Sequence, residues 1–440
     1  MAIKLNRNGK DLMGGTFFLK DNPFRTSEIF SVDRRGTYVP EIYGEQFNEF
    51  YNKFVLMPLS KDKNKQVIGA VWSSHAGDSV GKGYGKSFLM FQESIEINSD
   101  FGASKLRKFD VDEKDIAENP LVAGYCTFDQ AKDVKSFPAA VLDAVAFILE
   151  SKHGDRNVHL ALRERIMKEL EEDKGFESEG IFRALQKELR SFRGLNVQLT
   201  HASVERFIQK LCHDDTEELV SFIRQEIGPR VKASQGFNFV HIFNAFLALA
   251  GIVYVVYFVD QIENFARFAR NKERDLKILR ESMCQTSPTD SMASFVFQMH
   301  VHALQAIEGW WDNIEHLPSL DPKKPINSTR IVDLQGLTNK REAQILTKRY
   351  LADNRIPGLK RNVPPLHPFD DAIIEAVRQA VNGNPRRFLE KLSGILDNAV
   401  VNQRKKIDLA FVTPLLEDSN EDMLFGEEGN PDSDLVNLER

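Results

Sequence analysis

The part of the sequence that most limits the choice of fold is IVYVVYFV, residues 252–259, which runs directly into Asp260. Apart from its two tyrosines, the stretch contains only β-branched residues and a phenylalanine. Such a composition favours a β-strand, and the lack of polar alternation favours one that is buried on both faces. Strands of this kind belong to parallel sheets, so we expect an α/β protein with a parallel sheet and flanking helices.

The same strand ends a longer apolar segment, residues 239–259, in which only His241 and Asn244 are clearly polar. Its 21 residues are enough to cross a bilayer, which needs ~20 apolar residues. However, Gly251 separates a helix-compatible half from the β-branched half. The acidic residues that follow also differ from the basic flank expected on one side of a membrane span. We therefore expect no membrane span.

Two further features are typical of a cytoplasmic protein. The first fifteen residues contain no apolar run, so no signal peptide is expected. The three cysteines, Cys126, Cys212 and Cys284, are far apart and form neither a metal-binding nor a disulfide pattern. We therefore expect the protein in the cytoplasm.

A glycine-rich loop, GKGYGKS at residues 81–87, follows the apolar run QVIGAVWSS and precedes a helical pattern. Its end matches the nucleotide-binding pattern G-x-x-x-x-G-K-[ST], although Val80 replaces the first glycine. Backbone amides of such a loop and of the next helix bind phosphate, and Lys86 would bind the β- and γ-phosphates. We expect nucleotide contacts from Gly81, Gly83, Tyr84, Gly85, Lys86, Ser87 and Phe88.

Nucleotide hydrolysis also requires Mg²⁺ with oxygen ligands near the phosphates. We expect these ligands from Ser87, at the end of the loop, and from Asp260, at the carboxyl end of the buried strand. A strand, a glycine loop, a helix and a distant buried strand that ends in aspartate together predict a site for ATP and Mg²⁺. A glycine-rich hairpin that binds no nucleotide would leave Asp260 unexplained.

With these residues the chain resembles the AAA+ ATPases, and within them the initiator and origin-recognition group and related bacterial ATPases of transposition, secretion and phage defence. The resemblance spans roughly residues 20–400 and implies an AAA+ core with an α-helical lid. The other similar segments are DNPFRTSEIF (21–30), YVPE (38–41), LVAGYCTFD (121–129), SFVFQMHVHA (294–303), STRIVDLQGLTNKREAQILTKRYL (328–351) and GNPRRFLEKLSGIL (383–396).

The resemblance implies roles for three arginines. Arg386 or Arg387, in the lid, would reach the γ-phosphate, where a cation stabilises the developing charge. Arg330 would act as an arginine finger in the site of a neighbouring subunit, which implies a homo-oligomer. A surface arginine at the start of a strand is the alternative for Arg330.

The residues that would orient the attacking water are less regular. On the strand in SFVFQMHVHA, His300 is the first choice for a contact to the γ-phosphate or the water, and His302 is the second. Either can instead be a structural histidine. The family commonly has glutamate after the strand aspartate, whereas this chain has Gln261, which cannot accept a proton. Glu263 replaces it as the candidate base; otherwise Gln261 only orients water, or hydrolysis is slow.

The sequence further predicts how the chain is divided. We expect an N-terminal segment at 1–60, an ATPase core at 61–335 with a helical insert at 150–234, a lid at 336–405 and an acidic tail at 406–440. Apolar spacings of three and four residues predict helices in the insert. The insert is interpreted as a module that binds a protein partner, as an oligomer contact or as a structural elaboration of the core.

Charge is distributed unevenly along the chain, although the net charge is only −6. Residues 336–406 contain fourteen basic and seven acidic residues, whereas 417–440 contain nine acidic and one basic. A basic region beside an acidic tail is compatible with DNA or another acidic partner, or with an ordinary solvated surface. The tail is either a docking peptide or a structured acidic extension.

These patterns predict an ATPase whose nucleotide state controls oligomeric assembly on DNA or on a partner complex. By resemblance, the setting is a bacterial DNA-transaction, mobile-element or anti-phage defence system. The alternative is a nucleotide-switched scaffold or signalling ATPase that recruits an effector protein through the insert or the tail and binds no DNA.

Overall fold

The structure is a computed structural model that describes residues 12–24, 38–59, 68–73, 83–128, 137–170, 177–191, 202–228, 233–262, 292–298, 331–357 and 363–425. The chain divides into two compact units, and each is described by itself. We name the units after the divisions expected from the sequence: the core unit comprises Glu45–Ser74 and Lys86–Leu334, and the lid unit comprises Met1–Gly44, His75–Gly85 and Gln335–Arg440.

The described strands are β1 (Ile68–Trp72), β2 (Leu121–Thr127), β3 (Lys152–His153), β4 (Arg156–Asn157), β5 (Tyr254–Asp260), β6 (Met292–Gln298) and β7 (Ile331–Asp333). The described helices are α1 (Gly44–Tyr51), α2 (Lys86–Ser99), α3 (Ala103–Lys108), α4 (Glu113–Glu118), α5 (Phe137–Glu150), α6 (Val158–Leu170), α7 (Glu177–Ser191), α8 (Ala202–Cys212), α9 (Thr216–Ser221), α10 (Ala233–Leu249), α11 (Lys340–Asn354), α12 (Asp371–Ala380), α13 (Pro385–Val401) and α14 (Leu409–Phe425).

The centre of the core unit is a five-stranded parallel sheet in the order β2-β5-β6-β1-β7. Strand β5 is buried at all seven positions and pairs with β2 on one side and β6 on the other. The apolar stretch that predicted a strand buried on both faces is therefore an inner strand, and the predicted α/β fold with a parallel sheet is confirmed.

Helices cover both faces of this sheet. On one face, Phe258 of β5 stacks on Phe50 of α1, with ring centroids 5.6 Å apart. On the other face, the Tyr257 hydroxyl donates to Asn244 Oδ1 of α10 at 3.1 Å. Because Tyr257 and Phe258 are adjacent, their side chains point to opposite faces. Helix α2 lies on the Phe258 face, where Phe91 meets the ring of Tyr125 of β2 edge-on at 5.3 Å.

The apolar segment 239–259 divides as predicted. Its first part lies in α10, the chain turns at Gly251 with φ +69°, and its second part forms β5. Positive φ is easily reached only by glycine, so Gly251 ends the helix and redirects the chain into the sheet. None of the helices within the described ranges is long and apolar enough to cross a membrane.

The lid unit contains α11 to α14 together with the N-terminal Asn-Pro-Phe motif. The Asn22 side-chain amide donates to Asp397 Oδ1 of α13 at 3.0 Å. Phe24 stacks on Tyr350 of α11 at 6.1 Å and meets Phe369 edge-on at 5.8 Å. These contacts explain the motif: its asparagine binds α13, and its phenylalanine fills the space between the lid helices.

The division into units differs from the division expected from the sequence. The region expected as one N-terminal segment, 1–60, contributes residues up to Gly44 to the lid unit and the remainder to the core unit. Helix α14, which belongs to the lid unit, lies within the region expected as an acidic tail, 406–440. The predicted insert contains α6 to α9, in agreement with its helical pattern.

A buried histidine joins three helices of the insert. His159 of α6 is fully buried, and its Nε2–H donates to the Leu211 carbonyl of α8 at 2.9 Å. A carbonyl can only accept, so Nδ1 is the acceptor for the Thr216 hydroxyl of α9, also at 2.9 Å. Burial lowers the pKa of His159 to about 4. The neutral ring therefore satisfies both neighbouring helices without a charge.

We expect the stability of the core unit to fall as the pH is lowered from ~6.5, where free histidine titrates, toward 4. Burial lowers the pKa of His159 and of His241 to about 4 each. The unfolded chain therefore binds protons that the folded chain does not. Each histidine contributes up to ~3 kcal/mol, present above pH ~6.5 and lost near pH ~4. The free energy of unfolding, measured with urea across this range, checks the expectation.

His159→Gln retains an amide donor for the Leu211 carbonyl but has no group that titrates in this range. Its free energy of unfolding is expected to depend less steeply on pH than that of the wild type. His213→Gln, at an exposed position directly after α8, is the matched control for the substitution of a histidine by glutamine. An unchanged slope in His159→Gln would contradict the assigned role.

Candidate functional site

Polar side chains form a row along the carboxyl edge of the core sheet. Thr127 of β2 is in register with Asp260 of β5, and Val259 is in register with Phe297, which places Asp260 opposite Gln298 of β6. Ser73 follows β1 directly. Residues in register in a parallel sheet point to the same face, so Thr127, Asp260 and Gln298 share the face covered by α2. We call Ser73, Gln298, Asp260 and Thr127 the edge row.

Asp260 is the charged member of the edge row and is only 1% exposed. The Tyr125 hydroxyl donates to its Oδ2 at 2.6 Å, and the backbone N–H of Gln261 donates to its Oδ1 at 2.9 Å. A buried carboxylate is tolerated only when donors stabilise its charge, and these two hydrogen bonds provide such donors. They also set the direction in which each carboxylate oxygen points.

Gln261 has a left-handed backbone, with φ +55°. This conformation is uncommon for a residue other than glycine. It ends β5 and turns the N–H of Gln261 back toward Asp260. The same N–H is 3.3 Å from Oε1 of Gln298, so one donor links the ends of β5 and β6. The backbone N–H of Gln261 therefore organises this end of the sheet.

Gln298 is a candidate that the sequence analysis missed. It is 8% exposed and is the last residue of β6. His300 and His302, chosen from the same alternating pattern, lie outside the described residues. The period of two already placed Gln298 on the correct face, and the register of β5 and β6 places it opposite Asp260. Tyr125 was also missed, because no local pattern links it to Asp260.

Two members of the edge row have unsatisfied hydroxyl oxygens. Within the described part of the chain, Ser73 Oγ and Thr127 Oγ1 are buried and have no hydrogen-bond partner. Native proteins pair the large majority of such atoms with protein or water. Thr127 is in register with Asp260, and Ser73 lies two strands away at the same edge of the sheet. Orphaned oxygens along this edge fit a site that receives a hydrated cation or a polar ligand.

Helix α2 begins at Lys86, directly after the glycine loop. Lys86 is 3% exposed, whereas Ser87 and Phe88 are half-buried. The first amides of a helix lack intrahelical acceptors and, with the helix dipole, favour an anion at this end. The structure therefore places the predicted phosphate-binding lysine and the predicted magnesium ligand Ser87 in the first turn of α2.

Buried polar contacts hold α2 in place. The Tyr51 hydroxyl donates to the Glu93 carboxylate, which also receives Lys105 Nζ at 3.0 Å. Burial, and after it the charge of Glu93, raise the pKa of Tyr51 well above its usual value. One turn further, the side-chain amide of Asn98 pairs with both the N–H and the carbonyl of Ala123 of β2, each at 2.8 Å. The orientation of α2 relative to the sheet is thus specified by hydrogen bonds.

The end of the glycine loop is packed closely within the lid unit. Gly83 has φ +84°, and a side-chain carbon there would lie 2.7 Å from Asn384 Oδ1. Gly85 has φ +77°, and a side-chain carbon there would overlap the Tyr43 hydroxyl. The Gly83 carbonyl accepts the N–H of Arg386 at 3.2 Å. Glycine is therefore required at both positions by backbone conformation and by close approach.

The lid motif GNPRR forms the start of α13. Asn384 caps this helix, since its Oδ1 accepts the N–H of Arg386 at 3.1 Å and that of Arg387 at 3.2 Å. Pro385 occupies the first helical position, where its missing N–H costs nothing. The Arg386 side chain is exposed and pairs with Glu390 at 3.0 Å, whereas Arg387 is half-buried.

Five predicted site residues lie outside the described residues, namely Gly81, Glu263, His300, His302 and Arg330. The structure thus brings together Asp260 with Gln298 in the core unit and Gly83 with Arg386 in the lid unit. Within the described ranges, no group of three or more His, Cys, Asp or Glu is arranged to hold a metal ion.

Comparison with known proteins identifies no family for the chain. No protein-family model matches the sequence, and no curated protein is found to be similar to it.

We expect Gly85→Ala to destabilise the lid unit by ~1–3 kcal/mol, through left-handed strain and overlap with the Tyr43 hydroxyl. The matched control is Gly394→Ala in α13, where an added carbon meets nothing within 4 Å. There alanine is expected to be neutral or stabilising by up to ~1 kcal/mol, because it favours a helix. Urea unfolding of both variants tests the expectation.

Combining Gly85→Ala with Tyr43→Phe removes the oxygen that the new carbon would meet. The double variant is therefore expected to lose less stability than the sum of the two single changes. Full additivity would show that the two residues do not interact.

Proposed function

We propose that the protein is a P-loop ATPase of the AAA+ type. Its core unit binds ATP and Mg²⁺ at the carboxyl edge of the sheet, and its nucleotide state controls assembly on DNA or on a partner complex. The observation that carries the proposal is the place of β6 between β1, which leads into the glycine loop, and β5, which ends in Asp260. Gln298, the last described residue of β6, therefore lies between β1 and Asp260.

The strand order supports a ligand site beside β1. From β1 the chain continues to β2 at one end of the sheet, whereas from β6 it passes β1 and continues to β7 at the other end. Neighbouring strands whose connections leave in opposite directions open a crevice outside their carboxyl ends, and ligands of parallel sheets bind there. Gln298 and Ser73 flank this position, and Asp260 lies one strand further.

The residues at this edge fit Mg²⁺. The Asp260 carboxylate, the Ser87 hydroxyl and the orphaned oxygens of Ser73 and Thr127 are all oxygen donors, which Mg²⁺ prefers. Mg²⁺ is usually held by one or two carboxylates together with phosphate and water, rather than by a cage of protein ligands. In the proposed reaction the ion would neutralise charge on the phosphates. Lys86 would hold the β- and γ-phosphates at the start of α2.

The attacking water needs a proton acceptor, and the residue after Asp260 does not provide one. Gln261 uses its N–H on Asp260, and a carboxamide is not a base. We therefore keep Glu263 as the proposed base and Gln298 as a donor to phosphate or water. Two parts of the proposal rest on the resemblance alone. They are the contact of Arg386 or Arg387 with the γ-phosphate and the role of Arg330 in the site of a neighbouring subunit.

We expect Lys86→Ala to weaken ATP binding by roughly 10- to 100-fold, because a hydrogen bond to a charged group contributes ~1.5–3 kcal/mol. Glu263→Gln is expected to bind ATP normally and to lose hydrolysis. The control is Lys114→Ala in α4, where the side chain is 83% exposed. This variant is expected to change neither ATP binding nor ATP hydrolysis. Equilibrium binding of a fluorescent ATP analogue and release of phosphate are the measurements.

The outcomes separate the proposal from its alternative. A wild type that binds no ATP would refute the nucleotide site altogether. A wild type that binds ATP without hydrolysing it, with or without DNA, would favour the nucleotide-switched scaffold. The scaffold would be favoured further if the protein captures a partner protein in the absence of DNA and if this capture requires residues 417–440.

A basic surface supports DNA as the partner. Lys340, Arg341, Lys348 and Arg349 are exposed on α11. At spacings of seven and eight residues they share one side of the helix. Lys340 Nζ lies 3.8 Å from the Asp371 carboxylate, so part of its charge is offset by that residue. A row of cations along a helix matches the charge of a phosphate backbone.

We expect Arg341→Glu combined with Lys348→Glu to weaken binding of double-stranded DNA and to reduce its salt dependence. Each lost phosphate contact lowers the slope of log affinity against log salt by about 1. The control is Arg183→Glu with Lys187→Glu on α7, which changes the net charge equally within the insert. Equal loss in both double variants would show that net charge, rather than the α11 surface, governs binding.

A further inference from the structure

We infer that Tyr125 is a positioning residue that holds the Asp260 carboxylate in the orientation in which it serves Mg²⁺. The inference rests on the proposed function, since it gives Tyr125 a role at the same nucleotide site. Sequence patterns do not point to Tyr125, which lies in the middle of β2 and far from Asp260 along the chain.

The geometry fixes both oxygens of the carboxylate. The Tyr125 hydroxyl is 2.6 Å from Oδ2, and the Gln261 N–H is 2.9 Å from Oδ1. The two donors come from different strands, so the carboxylate plane cannot rotate without breaking one of them. Each carboxylate oxygen has two lone pairs, so accepting a hydrogen bond on one of them is chemically compatible with binding a cation or its water shell.

The hydroxyl of Tyr125 is itself held in place by its ring. Phe91 of α2 meets the ring edge-on at 5.3 Å, and Phe147 of α5 lies at 6.2 Å, with an angle of 57° between the planes. Aromatic contacts at these distances are favourable and restrict the ring. Because Phe91 lies on the helix that begins with Lys86, the aromatic contact connects that helix to the donor on Asp260.

The chemical consequence concerns metal affinity rather than nucleotide affinity. Carboxylates that bind metal ions are oriented by hydrogen bonds from neighbouring residues, and removing such a donor costs about 10- to 100-fold in metal affinity or activity. Tyr125→Phe removes only the hydroxyl and keeps the ring that packs on Phe91 and Phe147. Loss of the donor lets the carboxylate rotate, so more Mg²⁺ is needed to occupy the site.

The experiment titrates Mg²⁺ into the full-length protein in the presence of a fluorescent ATP analogue and repeats the binding in EDTA. Tyr125→Phe is expected to shift the Mg²⁺ midpoint upward about 10-fold, with binding in EDTA unchanged. The matched control is Tyr257→Phe, since Tyr257 is on the opposite face and donates to Asn244; its midpoint stays at the wild-type value. A purely structural role would not separate the Mg²⁺ midpoint from binding in EDTA.

A second variant tests the ring separately. Phe91→Leu keeps the hydroxyl but removes the ring against which Tyr125 packs, so the midpoint is expected to rise by a smaller factor. Midpoints of Tyr125→Phe and Phe91→Leu that equal the wild-type value would overturn the inference.

Asp260→Asn distinguishes failure of the inference from failure of the proposed function. If Asp260→Asn loses the response to Mg²⁺ while Tyr125→Phe behaves like Tyr257→Phe, only the role of Tyr125 is wrong. If the wild type shows no Mg²⁺-dependent binding of ATP, the proposed function and the inference fall together.

Discussion

The carboxylate of Asp260 is almost completely buried at the end of an inner strand, and a charge in that position requires donors. The left-handed backbone of Gln261 supplies a donor from the chain that follows, and Tyr125 supplies a donor from the neighbouring strand. The orientation of the carboxylate therefore depends on how β2 and β5 pair in the sheet. A slip of β2 by one residue would turn Tyr125 to the opposite face and remove its hydrogen bond to the carboxylate.

Hydrogen bonds between buried polar groups also hold α2 against the sheet. Glu93 is buried with Tyr51 and Lys105, and Asn98 takes the place of a neighbouring strand by pairing with the backbone of Ala123. Buried polar groups with specific partners favour one arrangement over many that apolar packing alone would allow. The start of α2, with Lys86, is thus placed by interactions that lie away from the glycine loop.

The glycines of the loop have a structural explanation that does not involve nucleotide. Gly83 and Gly85 both adopt positive φ, and each lies against a lid-unit side chain, Asn384 or Tyr43. A glycine pattern alone is therefore weak support for a phosphate site. The edge row is stronger support, because it combines a buried aspartate with two hydroxyl oxygens, Ser73 Oγ and Thr127 Oγ1, that are buried and have no partner within the described residues. In the proposed function, the absence of glutamate after Asp260 bears on hydrolysis rather than on nucleotide binding.

The sequence by itself determined the elements whose signals are local. The apolar run before Asp260 specified a strand buried on both faces, Gly251 separated helix from strand, and the Asn-Pro pair at 384–385 specified a helix start. Propensity, capping and side-chain period act within a few residues, so they can be read along the chain. They do not show where a strand stops or which distant residues meet. Only the tertiary structure decided that Gln298 stands opposite Asp260, that Tyr125 reaches Asp260 and that Tyr43 covers Gly85, because register and packing between distant segments set these contacts.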